Sequence, residues 1–258
     1  MGRLRIAVLI IAIIVFLGSA FYIIKYYYEG YKSEQGVEDL KSLIVDEDGN
    51  VSIEEADGET EKAEDDMRVK FAKLIEKNSD FTGWLEVPGT GINYPVMYTP
   101  NDPEFYLRKN FDKEYELSGT PFVDGACSMD PASDNIIIHG HNMKNGNVFH
   151  EMEDYKDESF FKEHKTFKFD TIYGPGEYEI FAVILSKAYT EEATSFKYYE
   201  FVNAAGQSEF DTYVDTIRSM SLYETGVKPQ YGDKLVTLST CEYSQEDGRM
   251  AIIGRKIN

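Results

Sequence analysis

The sequence predicts a mainly β domain, closed or sandwiched, carried behind an apolar N-terminal helix. Three observations predict it. Residues 6–24 carry no charge. Residues 29–66 are acidic and poor in apolar side chains. From Phe81 onward the chain breaks into short β-branched and aromatic runs, separated by Gly, Pro, Asn and Asp.

The uncharged run, Ile6 to Ile24, spans roughly 28 Å as a helix, close to the hydrocarbon thickness of a bilayer. Arg3 and Arg5 precede it, Lys25 follows it, and Tyr22, Tyr26, Tyr27 and Tyr28 suit an aromatic belt at the far interface. Residues 1–28 therefore read as a membrane anchor with a short cytoplasmic end, which leaves the rest outside. A cleaved signal peptide is the rival, with Gly18 and Ala20 at a small-residue cleavage site. The apolar run continues past that site, which favours the anchor. Both readings export the domain.

Residues 29–66 read as an acidic extracellular linker. The stretch "VDEDGNVSIEEADGETEKAEDD" buries too little apolar surface to offset the entropy of ordering it. Much of the formal net charge of −20 sits here, so it describes a tail more than a binding face. Nucleic acid is excluded as a partner, because phosphate binding needs clustered Lys and Arg.

Residues 67–258 form the folded domain, with a helix first. Met67, Phe71, Leu74 and Ile75 share one helical face, and Asp65 and Asp66 suit its N-terminal dipole. Eight strand-like runs follow: "GWLEV", "NYPVMY", "TPFVD", "NIIIHG", "TFKFDTIY", "YEIFAVILSKAY", "KLVTLSTC" and "RMAIIGRKI". Two helical stretches interrupt them. One lies around "NVFHEMEDYKDESFFKEH". The other is "SEFDTYVDTIRSMSLY", in which Phe210, Tyr213, Val214 and Ile217 share a face.

The chemistry-bearing residues are few. Two cysteines, Cys127 and Cys241, make no disulfide framework and read as free thiols. No Cys-x-x-Cys, His-Glu-x-x-His or glycine-rich phosphate loop occurs, so no metal, nucleotide or other cofactor is expected. His139 and His141 are read as pointing to opposite faces of a strand end, against a shared metal. Cys241 ends an apolar strand, His141 follows another, and Arg249 begins a third. The gap between Cys241 and Arg249 suits a hairpin that returns the chain beside the cysteine. A thiol, an imidazole and a guanidinium at three strand ends meet the needs of a cysteine nucleophile. Taken singly, each also fits a plain structural role: a packed cysteine, a surface histidine at a turn, a solvated arginine.

The segments together resemble the sortases, the surface cysteine transpeptidases of Gram-positive bacteria, and most of all class B. The residues that carry the resemblance are "TLSTC", an Arg eight residues later, and the upstream "IIIHGHNM". Supporting stretches are "NSDFTGWLEVPGTGINYPVM", "YLRKNF", "VFHEM" and "SLYETGV". The resemblance runs from about Met67 to Asn258 and implies a closed β-barrel of about eight strands. It also implies an extra helix between strands six and seven. It makes Cys241 the nucleophile, His141 the catalytic histidine and Arg249 the catalytic arginine. It suggests Leu107, Ser239 and Glu242 for the substrate groove, with a backbone N–H near Cys241 and Glu242 as a second oxyanion donor. His139 stands where similar enzymes commonly carry Tyr and is read as structural. Arg255 lies too far along its strand to join the site. Cys127 has no counterpart and is read as a spare thiol, packed or partly exposed.

The implied reaction cleaves a C-terminal sorting motif of a secreted protein. It forms a thioester at Cys241 and passes the protein to an amine of a peptidoglycan precursor or cross-bridge. The implied location is the cell membrane, single-pass, with the catalytic domain extracellular. Three alternatives use the same chain: a pilin-polymerising class B enzyme with a pilin lysine as acceptor, a cysteine peptidase that gives the acyl group to water, and a wall-binding β-domain without activity.

Overall fold

The computed structural model describes residues 2–44, 59–190 and 192–257. Eight strands close into one barrel. They are β1 (Phe81–Glu86), β2 (Asn93–Met97), β3 (Phe122–Val123), β4 (Asn135–His139), β5 (Thr166–Thr171), β6 (Glu177–Lys187), β7 (Leu235–Cys241) and β8 (Gly248–Lys256). The order around the barrel is β1-β2-β3-β4-β7-β8-β6-β5. Closure leaves no long unpaired edge. β4 and β7 run parallel, so the strands that precede His141 and end in Cys241 finish at the same end of the barrel. β8 returns antiparallel beside β7 and begins at that end.

Three apolar clusters hold the fold. One fills the barrel, with Leu85, Val96, Ile137, Phe169, Val183 and Leu238 among its members. The second lies under helix α5 (Gln207–Met220), which falls between β6 and β7 as expected. Phe210, Tyr213, Val214 and Ile217 pack there against Phe181, Ala182, Ile184, Ala251 and Ile253. Each of the Phe, Val and Ile side chains contributes about 1.5–3 kcal/mol on burial. The third joins α2 (Glu59–Lys70) and α3 (Ala72–Lys77) to β1 through Met67, Phe71, Leu74, Phe81 and Trp84. The other expected helical stretch forms a 3₁₀ turn, His150–Lys156, followed by α4 (Glu158–Glu163).

The N-terminal region departs from the sequence reading. Helix α1 (Arg3–Lys41) runs well past residue 28, where the anchor was expected to give way to a linker. The reason lies in the spacing of Tyr26, Gly30, Ser33, Val37 and Leu40. These recur at intervals of four and three, and they are the residues withdrawn from solvent along this stretch. Glu29, Glu34, Glu38 and Asp39 lie on the exposed face. The acidic composition therefore describes one side of a docked helix. At the other end of the expected linker, α2 already begins at Glu59. Residues 45–58 lie outside the described residues.

Candidate active site

Cys241 is the last residue of β7 and is partly exposed. Its partner across the β7–β8 ladder is Arg249. The next rung is hydrogen-bonded, with the Glu242 N–H donating to the Gly248 carbonyl at 2.9 Å. Antiparallel rungs alternate, so Cys241 and Arg249 form a non-hydrogen-bonded pair. Such pairs bring side chains closest, on one face of the sheet. The main-chain N–H and C=O of Cys241 consequently point away from β8. The Arg249 guanidinium donates through Nη1 to the Gly248 carbonyl at 3.0 Å, which folds it back over the start of its own strand.

His141 follows β4 after Gly140. Gly140 is required by packing: a Cβ there would come within 2.6 Å of the Phe149 ring. Phe149 in turn donates its backbone N–H to the His141 carbonyl at 2.9 Å. The His141 ring donates from Nε2 to the Leu107 carbonyl at 2.9 Å. A carbonyl only accepts, so the proton of the neutral imidazole resides on Nε2 and Nδ1 is a free base. Burial disfavours the imidazolium and lowers the His141 pKa, the Leu107 carbonyl opposes this, and the Arg108 charge adds to the lowering.

Cys241, His141 and Arg249 line one cavity of about 520 Å³. Leu107 and Ser239 line it as well. The Ser239 hydroxyl is engaged by the hydroxyl of buried Tyr198 at 2.7 Å. Burial pushes the Tyr198 phenol up to about 12, so it stays protonated.

Glu242 corrects an expectation. Its side chain is buried away from the cavity, where its carboxylate accepts from Lys156 Nζ at 2.6 Å and from Ser244. Neighbours along a strand point to opposite faces, so a residue after a cavity-facing Cys241 turns outward. Its N–H is bound to Gly248, so it is not a free oxyanion donor here. His139 also corrects one. Residues two apart share a strand face, and both His139 and His141 line the cavity. His139 is held by Asp124 at 2.8 Å, and that bond lowers the Asp124 pKa. No cluster of metal-binding side chains occurs among the described residues.

Cys127 and Arg255 stay outside the site. The Cys127 thiol is buried, accepts from the Ile137 N–H at 3.4 Å and is pushed up to about 11 by burial. Arg255 pairs with Glu179 at 2.9 Å near the opposite end of β8.

Sequence reasoning missed Asn142, the residue after His141. It is buried, and its Nδ2 donates to the Cys241 carbonyl at 3.1 Å and to Glu153 at 2.8 Å. Its Oδ1 meets His150 Nδ1 at 2.8 Å, and its own carbonyl accepts from the Tyr243 hydroxyl at 2.8 Å. The signal was present in "GHNM": a buried amide beside the histidine needs several partners.

Comparison with known proteins bears on this arrangement. A Sortase domain model matches residues 85–257. Sortase B of Listeria monocytogenes is 31% identical over 245 residues, covering 94% of this chain and 92% of its own length. A solved Staphylococcus aureus sortase B–substrate complex superposes with a TM-score of 0.67 at 26% identity, covering 78% of this chain and 95% of that one. A sortase B complexed with triglycine superposes with a TM-score of 0.66 at 26% identity, covering 78% and 96%.

Proposed function

The chain belongs to the sortase family and is a class B cysteine transpeptidase. From that premise we propose that Cys241 is its nucleophile, with Arg249 and His141 as partners in a two-step acyl transfer onto a cell-wall amine. The observation that carries this reading is the convergence of three strand ends on one cavity, with Cys241 and Arg249 directly opposed.

The first half of the reaction follows from the protonation states. A neutral imidazole with a free Nδ1 takes the thiol proton. The Cys241 thiolate attacks the carbonyl of the sorting motif's fourth residue, usually Thr, and a tetrahedral oxyanion forms. Arg249 supplies permanent positive charge and a planar fork of donors to that oxygen. The imidazolium formed at His141 then protonates the leaving amine, and a thioester remains on Cys241. In the second half an amine from a peptidoglycan precursor or cross-bridge attacks the thioester. His141 accepts its proton, and an amide joins the protein to the wall. The triglycine complex of a relative supports an amine of this kind.

The domains fit this work. Residues 6–24 form the exposed apolar part of α1, long enough to cross a membrane. We read them as a single span with the catalytic domain on the outer side, where secreted substrates emerge. We take the catalytic domain to start near residue 67, with α2 from Glu59 and the docked half of α1 packed onto it. The anchor runs directly into the docked part of α1.

The deciding experiment incubates the full chain with peptides whose motif carries Thr at its fourth position, with triglycine present or absent. An amide product with triglycine, and a thioester mass on the peptide that contains Cys241, are expected. Release of free acid alone, in the presence of triglycine, would make the chain a peptidase. A thioester that maps to Cys127 would overturn the assignment.

A further inference from the structure

The second half of α1 carries a record of how the domain sits relative to the segment before it. Its withdrawn stripe begins at Tyr26, two residues after the apolar run ends at Ile24. The stripe meets several parts of the domain in turn, with Val37 bridging the barrel cluster and the cluster beside β1. Tyr26 packs against the barrel cluster, and its phenol is within electrostatic reach of Tyr243, two residues after Cys241. Gly30 comes next. Its carbonyl accepts from Asn147 Nδ2 at 3.0 Å, and a Cβ on it would run into the Asn145 amide. Asn145 and Asn147 lie on the loop that follows His141. Ser33 then donates to Glu116 and lies 3.4 Å from the Ser118 hydroxyl, and Ser118 lines the catalytic cavity. Leu40 comes last and joins Met67, Phe71 and Trp84, at the entry to β1.

From this order we infer that α1 is a rigid strut that presses the catalytic rim of the barrel against the bilayer surface, with no flexible tether between anchor and site. The inference rests on reading residues 6–24 as a membrane span. A helix rises about 1.5 Å per residue, so Tyr26 lies about 3 Å and Gly30 about 9 Å beyond Ile24 along the axis. The loops that follow Cys241 and His141 are thus the parts of the domain that α1 meets first. The far end of β7 is about 20 Å from Cys241 along the strand. Exposed Tyr27, Tyr28, Tyr31 and Tyr243 are amphipathic rings of the kind that settle at a headgroup boundary. The occupant of this face is the bilayer itself, argued from its continuity with the span. The consequence is selective. A strut of fixed length favours substrates and acceptors that are themselves held at the membrane.

The test uses the full chain in liposomes. A donor dye is placed on Lys144→Cys, an exposed position of the His141 loop, or on Lys234→Cys, just before β7. Both are made in a Cys241→Ala background, and buried Cys127 stays unlabelled. Energy transfer to headgroup-labelled lipid reads the height of each dye. The dye at 144 should lie closer to the bilayer than the dye at 234. A seven-residue helical insertion after Lys25 keeps the docking face in phase and should raise both dyes by about 10 Å. Equal heights, the reverse order, or a height at 144 unchanged by the insertion would overturn the strut. With Cys241 restored, the inserted chain should turn over soluble peptide and triglycine at the parent rate, which shows an intact domain. Its rate with a lipid-linked amine should fall at least tenfold, and an unchanged rate would overturn the selectivity. Failure of the parent chain on soluble substrates would count against the proposed reaction, while the dye heights would still test the strut.

Discussion

Cys241 and Arg249 stand directly opposite each other across the β7–β8 ladder, as a non-hydrogen-bonded pair one rung short of the hydrogen-bonded Glu242–Gly248 pair. The barrel thus sets the approach of thiol to guanidinium by strand register, before any loop contributes. A one-residue slip of either strand would turn its side chain to the opposite face from its partner.

That register makes the arginine's chemistry testable. Lys at 249 keeps the charge but loses the planar fork and adds a flexible stem. Loss of a single oxyanion donor typically costs about 100-fold or more in turnover. Arg249→Lys should therefore lower kcat by about 100-fold with little change in KM, measured on a peptide and triglycine. Near-normal kcat would remove Arg249 from the oxyanion role.

The two thiols should behave in opposite ways. Cys127 is buried, with its pKa pushed up to about 11, so little thiolate exists there at neutral pH. Cys241 opens on the cavity. Iodoacetamide should label Cys241 alone in the folded chain and both thiols after denaturation. Cys127→Ala should retain activity, whereas Cys241→Ala should form no acyl-enzyme in mass spectra.

The pH profile follows from His141. Its folded pKa lies below the ordinary value of about 6.5, chiefly because burial disfavours the charged ring. The base form is therefore retained at neutral pH and lost only as pH falls below about 6.5. The acid limb of kcat/KM should have its midpoint below that value. A midpoint above 7 would be incompatible with His141 as the initial base. The stability effect has the same sign. Unfolding lets the ring take up a proton more readily, so the group's contribution to stability falls as pH drops through about 6.5 and below.

Asn142 should act through the main chain of Cys241. Its amide ties the Cys241 carbonyl to His150 and Glu153, and it follows His141 directly. Asn142→Asp replaces the donor by a carboxylate facing Glu153 and a carbonyl. Stranding these buried groups should cost about 1–3 kcal/mol in denaturant unfolding. If Asn142 positions the thiol, acylation kcat should fall about tenfold while KM holds. A stability loss with unchanged kcat would mark it as structural only.

Much of the site was legible because its residues end regular strands. Cys241, His141 and Arg249 were joined only through the resemblance, because singly each fits a structural role. Period-2 alternation was available in "LVTLSTC" and "NIIIHG" but was misapplied to His139 and His141, whereas the four apolar residues of α5 repeat at helical spacing. Glu242 was misplaced although that alternation forbids a residue beside cavity-facing Cys241 from sharing its face. The docking of α1 was hidden for a different reason. Its buried stripe mixes Tyr26, Gly30 and Ser33 with Val37 and Leu40, so it carries little apolar periodicity, and the exposed acids dominate the composition. Tyr198 was invisible because its partner, Ser239, lies far away in sequence, and Asn142 was signalled only by its place after His141 in "GHNM".

An ion cluster lies behind the cavity. Lys156 meets Glu242 at 2.6 Å and Glu153 at 2.5 Å. Burial alone would raise the Glu242 pKa, but the hydrogen bonds from Lys156 and Ser244 outweigh it and hold the carboxyl below its ordinary value. A depressed carboxyl contributes stability above its unfolded pKa of about 4.3 and loses it as pH falls through the folded value. Lys156→Met strands a buried carboxylate next to Cys241. Fully buried pairs cost about 3–5 kcal/mol to break, and the partial exposure of Lys156 brings the expected loss at pH 7 to about 1–3 kcal/mol. The loss should shrink at pH 4, where Glu242 can protonate in the variant. Urea unfolding at both pH values measures it, and an equal loss at pH 4 and 7 would show that packing, rather than the ion pair, sustains this side of the site.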